Sequence, residues 1–158
     1  MKLSVALALL LFAAVTLAAF AADDEDAKRL PPGPGRDTVA QSCLACHTSS
    51  YFRRLRLDKD AWSDKVGDMV DRGAKVTDAQ AAIIVDYLSQ TFGPGARMNV
   101  NTAPYEELKA ILSLTNPETQ ALIAARKEKG EFKSIEELKS VAGVDEKKIE
   151  AKKDLITF

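Results

Sequence analysis

Cys43-Leu44-Ala45-Cys46-His47 gathers both cysteines and the only histidine of a 158-residue chain into five positions. Thiols at i and i+3 on a helical turn point to the same side, so both can reach one edge of a flat macrocycle, and the next residue can offer its imidazole to a metal at the centre. C-x-x-C-H is the attachment signature of a c-type haem, with thioethers from Cys43 and Cys46 and iron ligation by His47. Competing uses fit less well. A thioredoxin-like pair needs a βαβ context that the flanking residues lack, and a disulfide between such near neighbours closes too small a loop to stabilise much. A zinc site needs a fourth ligand, and no further Cys or His exists.

With a single histidine, the sixth iron position falls to a methionine, to another atom or to nothing. Met1 lies in the leader, which leaves Met69 and Met98. Met98 follows the helix stop at Gly93-Pro94, so Met69 is the expected ligand; a thioether there raises the potential into the range useful for electron transfer. The plainer role for Met69 is core filling on an amphipathic helix, which would leave the position open or differently ligated.

The elements that must position these residues are helical. Met1-Lys2, the apolar run Leu3 to Leu17 and the boundary Ala19-Phe20-Ala21 read as a secretory signal peptide over 1–21, in preference to a single membrane anchor. The mature chain is therefore expected to be periplasmic or otherwise exported, with no stable membrane insertion. The full chain has 22 basic and 23 acidic side chains, and losing Lys2 leaves 21 against 23, a net charge of −2. Such a near-neutral balance supplies no global field toward nucleic acid or a membrane.

Residues 22–35 form an acidic, Pro/Gly-rich linker ending in Leu-Pro-Pro-Gly-Pro-Gly, and Phe92-Gly93-Pro94-Gly95 divides the remainder into modules over 36–95 and 98–158. A short helix from Asp37 runs into the cysteines. A second spans about Asp60 to Asp71, with Trp62, Val66, Met69 and Val70 at helical spacing. A third starts at Thr77, a suitable N-cap, and turns Ala81, Ile84, Val85 and Leu88 inward. Three short helices bury little area, and a haem would supply the missing core. The fold class expected is all-α: a small haem module followed by a second helical module.

The pentad, Trp62, Val66-x-x-Met69-Val70, Gly73-Ala74, Ile84-x-x-Tyr87-Leu88 and Phe92-Gly93-Pro94 together resemble small monohaem, class I-like c-type cytochromes. The pattern is nearest to cytochrome subunits or domains of periplasmic sulfite or quinohaemoprotein dehydrogenases. The resemblance implies one covalently attached haem c, single-electron transfer without bond chemistry, and a redox partner protein such as a periplasmic dehydrogenase. In line with it, Arg53 and Arg54, with Arg56, are placed to pair with haem propionates, or else form a solvated basic face.

From Met98 onward, Glu106-Glu-Leu-Lys109 returns thirty residues later as Glu136-Glu-Leu-Lys139, the mark of two packed helical hairpins. With Asn99-x-Asn-Thr-Ala103 and Ala125-Arg126-x-x-x-x-Gly130-x-Phe132, the segment resembles the tandem helix-hairpin-helix domain of competence-type DNA receptors. That resemblance implies phosphate binding by bare backbone N–H groups of a Gly-apolar-Gly turn. Aligning Leu114-Thr115-Asn116 and Gly143-Val144-Asp145 with that turn leaves a side chain at one hairpin and a carboxylate at the other. Ten basic against 11 acidic residues in 98–158 add no unopposed positive charge.

On these grounds nucleic acid is not expected as a partner. The expected function is an exported, non-enzymatic electron carrier whose second module docks a redox protein. The alternative is a DNA-binding or uptake protein with a haem-containing domain. A haem peroxidase would need a distal acid–base residue, and no second histidine exists.

Overall fold

Apolar residues at helical spacing, closed by side-chain caps, set the two long helices of the first module. The computed structural model describes residues 25–158; the expected signal peptide at 1–21 and the start of the linker lie outside these residues. The first module comprises α1 (Arg36–Cys43), α2 (Ser50–Arg53), α3 (Lys59–Asp71) and α4 (Asp78–Thr91). Asp58 caps α3 by accepting from the Ala61 N–H at 2.9 Å. Thr77 and Gln80 form a reciprocal capping box at the start of α4, with the Thr77 N–H donating to Gln80 at 2.9 Å. Caps of this kind stabilise a helix by about 1 kcal/mol each.

The core between α3, α4 and α1 is aromatic. Trp62, Tyr87 and Phe92 are all buried, and Phe92 packs edge-on against both Tyr87 and Phe52. The Phe92 carbonyl accepts from the Trp62 indole N–H at 3.3 Å and from the Leu57 N–H at 3.2 Å, which ties the α3 approach to the end of α4. Gly93 follows because a Cβ there would lie 2.3 Å from the Ser89 carbonyl oxygen. The Leu30–Gly35 stretch lies along this module: Leu30 is buried and the Tyr87 hydroxyl donates to the Pro31 carbonyl at 2.6 Å.

The second module runs β1 (Met98–Asn99), α5 (Tyr105–Ile111), α6 (Asn116–Lys129), α7 (Ile135–Lys139), α8 (Glu146–Lys152), a 3-10 turn (Lys153–Leu155) and β2 (Ile156–Thr157). Its core collects Leu108, Leu112, Leu122, Leu138 and Ile149 from all four helices. Met98 pairs with Ile156 in a two-residue parallel ladder that joins the module's two ends. This ladder is the strand pairing among the described residues, and the fold class is all-α. Among the same residues no helix is long and apolar enough to cross a membrane.

The modules meet through a buried ion-pair cluster. Glu107 on α5 accepts from the Arg53 Nε at 2.8 Å and from an Arg56 terminal nitrogen at 3.0 Å. Arg53 also donates to the Arg29 carbonyl at 2.6 Å, and the Arg56 Nε donates to the Ala96 carbonyl at 3.1 Å. The Arg53 and Glu107 side chains are only 3% and 2% exposed, so the charges rely on one another and not on water.

Candidate functional site

Cys43 is the last residue of α1, half-buried against the first module's core, while Cys46 is exposed beyond the helix end. Burial, and then the neighbouring Cys46, pushes the Cys43 thiol up to about 11, so it stays protonated near neutral pH. The His47 Nδ1 lies 3.1 Å from the Thr48 carbonyl oxygen. A carbonyl can only accept, so this contact calls for the proton on Nδ1 and leaves Nε2 without a hydrogen bond among the described residues. Tyr51 and Phe52 flank the imidazole with ring centroids at 5.0 and 6.5 Å. Two free thiols and an imidazole with Nε2 uncommitted fit the chemistry of covalent haem attachment. Among the described residues no three or more His, Cys, Asp and Glu side chains assemble as a metal-ion site.

The remaining predicted residues are dispersed. Arg53 is committed to Glu107 and the Arg29 carbonyl, whereas Arg54 is exposed and lies over the Tyr51 ring at 5.9 Å. Of the two arginines, Arg54 is thus the one facing solvent beside the pentad. Met69 is half-buried on α3. Met98, at 1% exposure, is held in the second module's core.

In the second module the two hairpins are thirty residues out of phase throughout, which corrects the expected register. Ser113 stands where Gly143 stands, with φ of +54° and +84°, and Thr115 and Asp145 are the N-caps of α6 and α8. Leu114 and Val144 are the inward residues between them. The turn to compare with Gly-apolar-Gly is therefore Ser113-Leu114-Thr115, one residue earlier than Leu114-Thr115-Asn116. Serine in the left-handed region keeps the backbone path that glycine would give, so the first hairpin retains the shape of the second.

Glu118, absent from the expected site residues, joins the two turns. It accepts from the Thr115 N–H and hydroxyl at 2.7 Å each, from the Asp145 N–H at 3.1 Å and from the Lys148 ammonium at 2.6 Å. Lys148 and then Thr115 hold its carboxyl down at about 2, so it is ionised throughout the neutral range and fixes both helix starts. Thr115-x-x-Glu118 was readable as a capping box; the reach to Asp145 and Lys148 was not. Lys147, on the exposed side of the second turn, makes no ion pair among the described residues.

Comparison with known proteins locates this module independently. The family profile described as Helix-hairpin-helix motif matches residues 94–157. ComE operon protein 1 of Bacillus subtilis (strain 168) is 43% identical over 65 residues, covering 41% of this chain and 32% of that protein. The chain thus spans about a third of the length of the curated relative it matches. No solved structure matches.

These matches establish the helix-hairpin-helix module and overturn two expectations. The reading of the chain as an electron-transfer cytochrome whose second module only docks a redox enzyme such as a dehydrogenase is corrected, because the similarity falls on the hairpin module, to a helix-hairpin-helix motif and to ComE operon protein 1. The exclusion of nucleic acid as a partner is corrected on the same finding. Its physical basis was the side chain expected at one turn, the Asp145 carboxylate at the other, and a net charge that ignored where the charges sit.

Proposed function

We propose that the chain is an exported nucleic-acid-binding protein whose paired hairpins take the phosphate backbone of duplex DNA. The carrying observation is the repeated turn: Ser113 and Gly143 in the left-handed region, each leading through an apolar residue packed on the core, Leu114 and Val144, into a capped helix start. Two such turns, locked together by Glu118, present the same backbone surface at a fixed spacing. Contacts of this kind go to phosphate and sugar, so the expected binding is indifferent to sequence. The resemblance of 98–158 to competence-type DNA receptors, together with the likeness to ComE operon protein 1, favours DNA over RNA.

The first module, in this reading, carries one covalently attached haem c. Cys43 and Cys46 would hold it by thioethers, His47 Nε2 and Met69 would be the iron ligands, and Arg54 faces solvent where a propionate contact is open to it. When bound, the group would supply a one-electron redox couple; the chain's own residues would anchor and orient it. Haem attachment is checked on the full mature chain made in cells with haem-attaching machinery. Haem that stays with the polypeptide after denaturation is the expected result, lost in Cys43→Ser/Cys46→Ser; haem that leaves on denaturation removes the thioether assignment.

DNA binding is tested by fluorescence anisotropy with a 30-bp duplex, in which affinity should fall on raising the salt from about 50 to 200 mM. Ser113→Asp combined with Lys147→Glu places a negative charge at both turns without touching the core, and should weaken binding at least ~10-fold, since each lost contact removes counterion release. A duplex that fails to bind at 50 mM salt, or binds the double variant equally well, refutes the proposal.

A further inference from the structure

A groove of about 590 Å³ runs between α3 and α4. Its floor is apolar: Val66 and Val85 are 9% and 8% exposed, and Ala81 and Ala82 keep the α4 wall low. Val70, at 40% exposure, projects at its edge. Gly67 also lines it, in the middle of α3, where glycine is less favourable than alanine by about 1 kcal/mol. A Cβ on Gly67 would meet nothing within 4 Å, so packing inside the chain does not call for glycine there. What its absence of side chain provides is room for another backbone to approach.

The rim is acidic. Asp60, Asp71, Asp78 and Asp86 border the groove against one lysine, Lys59, which is already bound to Asp86 at 2.7 Å. Asp60, Asp71 and Asp78 make no ion pair among the described residues. An apolar floor with unpaired carboxylates along it complements one kind of surface, an apolar stripe flanked by lysine or arginine. The same carboxylates repel a phosphate backbone, which separates this surface from the hairpin turns. From Asp60 to Asp71 a helix rises roughly 17 Å, so an occupant of about three helical turns matches the length. Neither the pentad residues nor Met69 line the groove.

We propose that the α3–α4 groove is a docking site for a basic amphipathic helix of a partner protein. The test uses the full mature chain and a labelled 14-residue helix with leucine on one face and lysine on the other, read by anisotropy at about 0.1 M salt. The expected result is saturable binding, weakened at least ~10-fold for a scrambled peptide of the same composition and for the variant Val70→Lys/Asp71→Lys, whose sites are both exposed. Circular dichroism of the variant separates loss of the groove from loss of the fold; if it unfolds, Asp78→Lys alone serves, with at least ~3-fold weakening expected. Equal binding of the scrambled peptide, equal binding by the folded variant, or no binding at all overturns the proposal. So does a concentration-dependent dimer that Val70→Lys dissociates, because the occupant is then a second copy of the chain.

Discussion

Glu107→Ala is expected to destabilise the folded chain by about 3–5 kcal/mol, the range for removing one partner of a buried ion pair. The carboxylate serves both Arg53, at 2.8 Å, and Arg56, at 3.0 Å, and these side chains are only 3% and 13% exposed. Alanine would leave two guanidinium groups facing a void at the junction of the modules. Arg53 would keep the Arg29 carbonyl and Arg56 the Ala96, Arg53 and Leu55 carbonyls, but neither guanidinium would keep a counter-charge. The effect should appear in denaturant unfolding as a lower midpoint, with separation into two transitions where the modules lose their shared cluster. The conservative Glu107→Gln keeps the shape and one acceptor and should cost less. A change below about 1 kcal/mol for Glu107→Ala would show that water already screens the cluster, against the burial described here.

Trp62→Ala is expected to cost a further 3–5 kcal/mol in a separate variant, on the scale of large-to-small substitutions of buried aromatic residues. Trp62 is 1% exposed at the centre of the first module and touches the capped end of α4 through Phe92. Trp62→Phe isolates the two parts of that loss. It retains most of the packing and removes the indole N–H, and the Phe92 carbonyl still accepts from Leu57, so about 0.5–1.5 kcal/mol is expected for the hydrogen bond and the smaller ring. Thermal unfolding of both variants checks the pair. Near-equal melting temperatures for Trp62→Ala and the parent chain would mean that the first module's core is not organised around this side chain.

The helices were readable because their signals are local. Trp62, Val66 and Met69 repeat at helical spacing, and the expected start at about Asp60 differs from the observed Lys59 by one position. Thr77 was identifiable as a cap, and Glu106-Glu-Leu-Lys109 returning as Glu136-Glu-Leu-Lys139 gave away the hairpin pair. The pentad was visible for the same reason: its five residues are adjacent.

Burial of charge was not readable in this way. Glu107 and Glu137 occupy equivalent places in the repeat, yet Glu107 is sealed between modules while Glu137 is exposed and accepts from the Lys133 N–H at 2.7 Å. Arg53 and Glu107 are 54 residues apart, and no periodicity within either segment reports that they meet. Ser113 illustrates the same limit at shorter range. Its left-handed backbone follows from the packing of Leu112 and Leu114, both buried, and placed the hairpin turn one residue earlier than residue types suggested. Counting charges over 98–158 likewise missed that Glu118 and Lys148 neutralise each other between the turns while Lys147 remains outward. Chain-local propensity and side-chain chemistry were enough to locate the helices and the repeat. Which charges are buried, how the hairpins are registered and how the modules are joined depended on contacts between distant segments, whose energies are set by desolvation and packing in the folded chain.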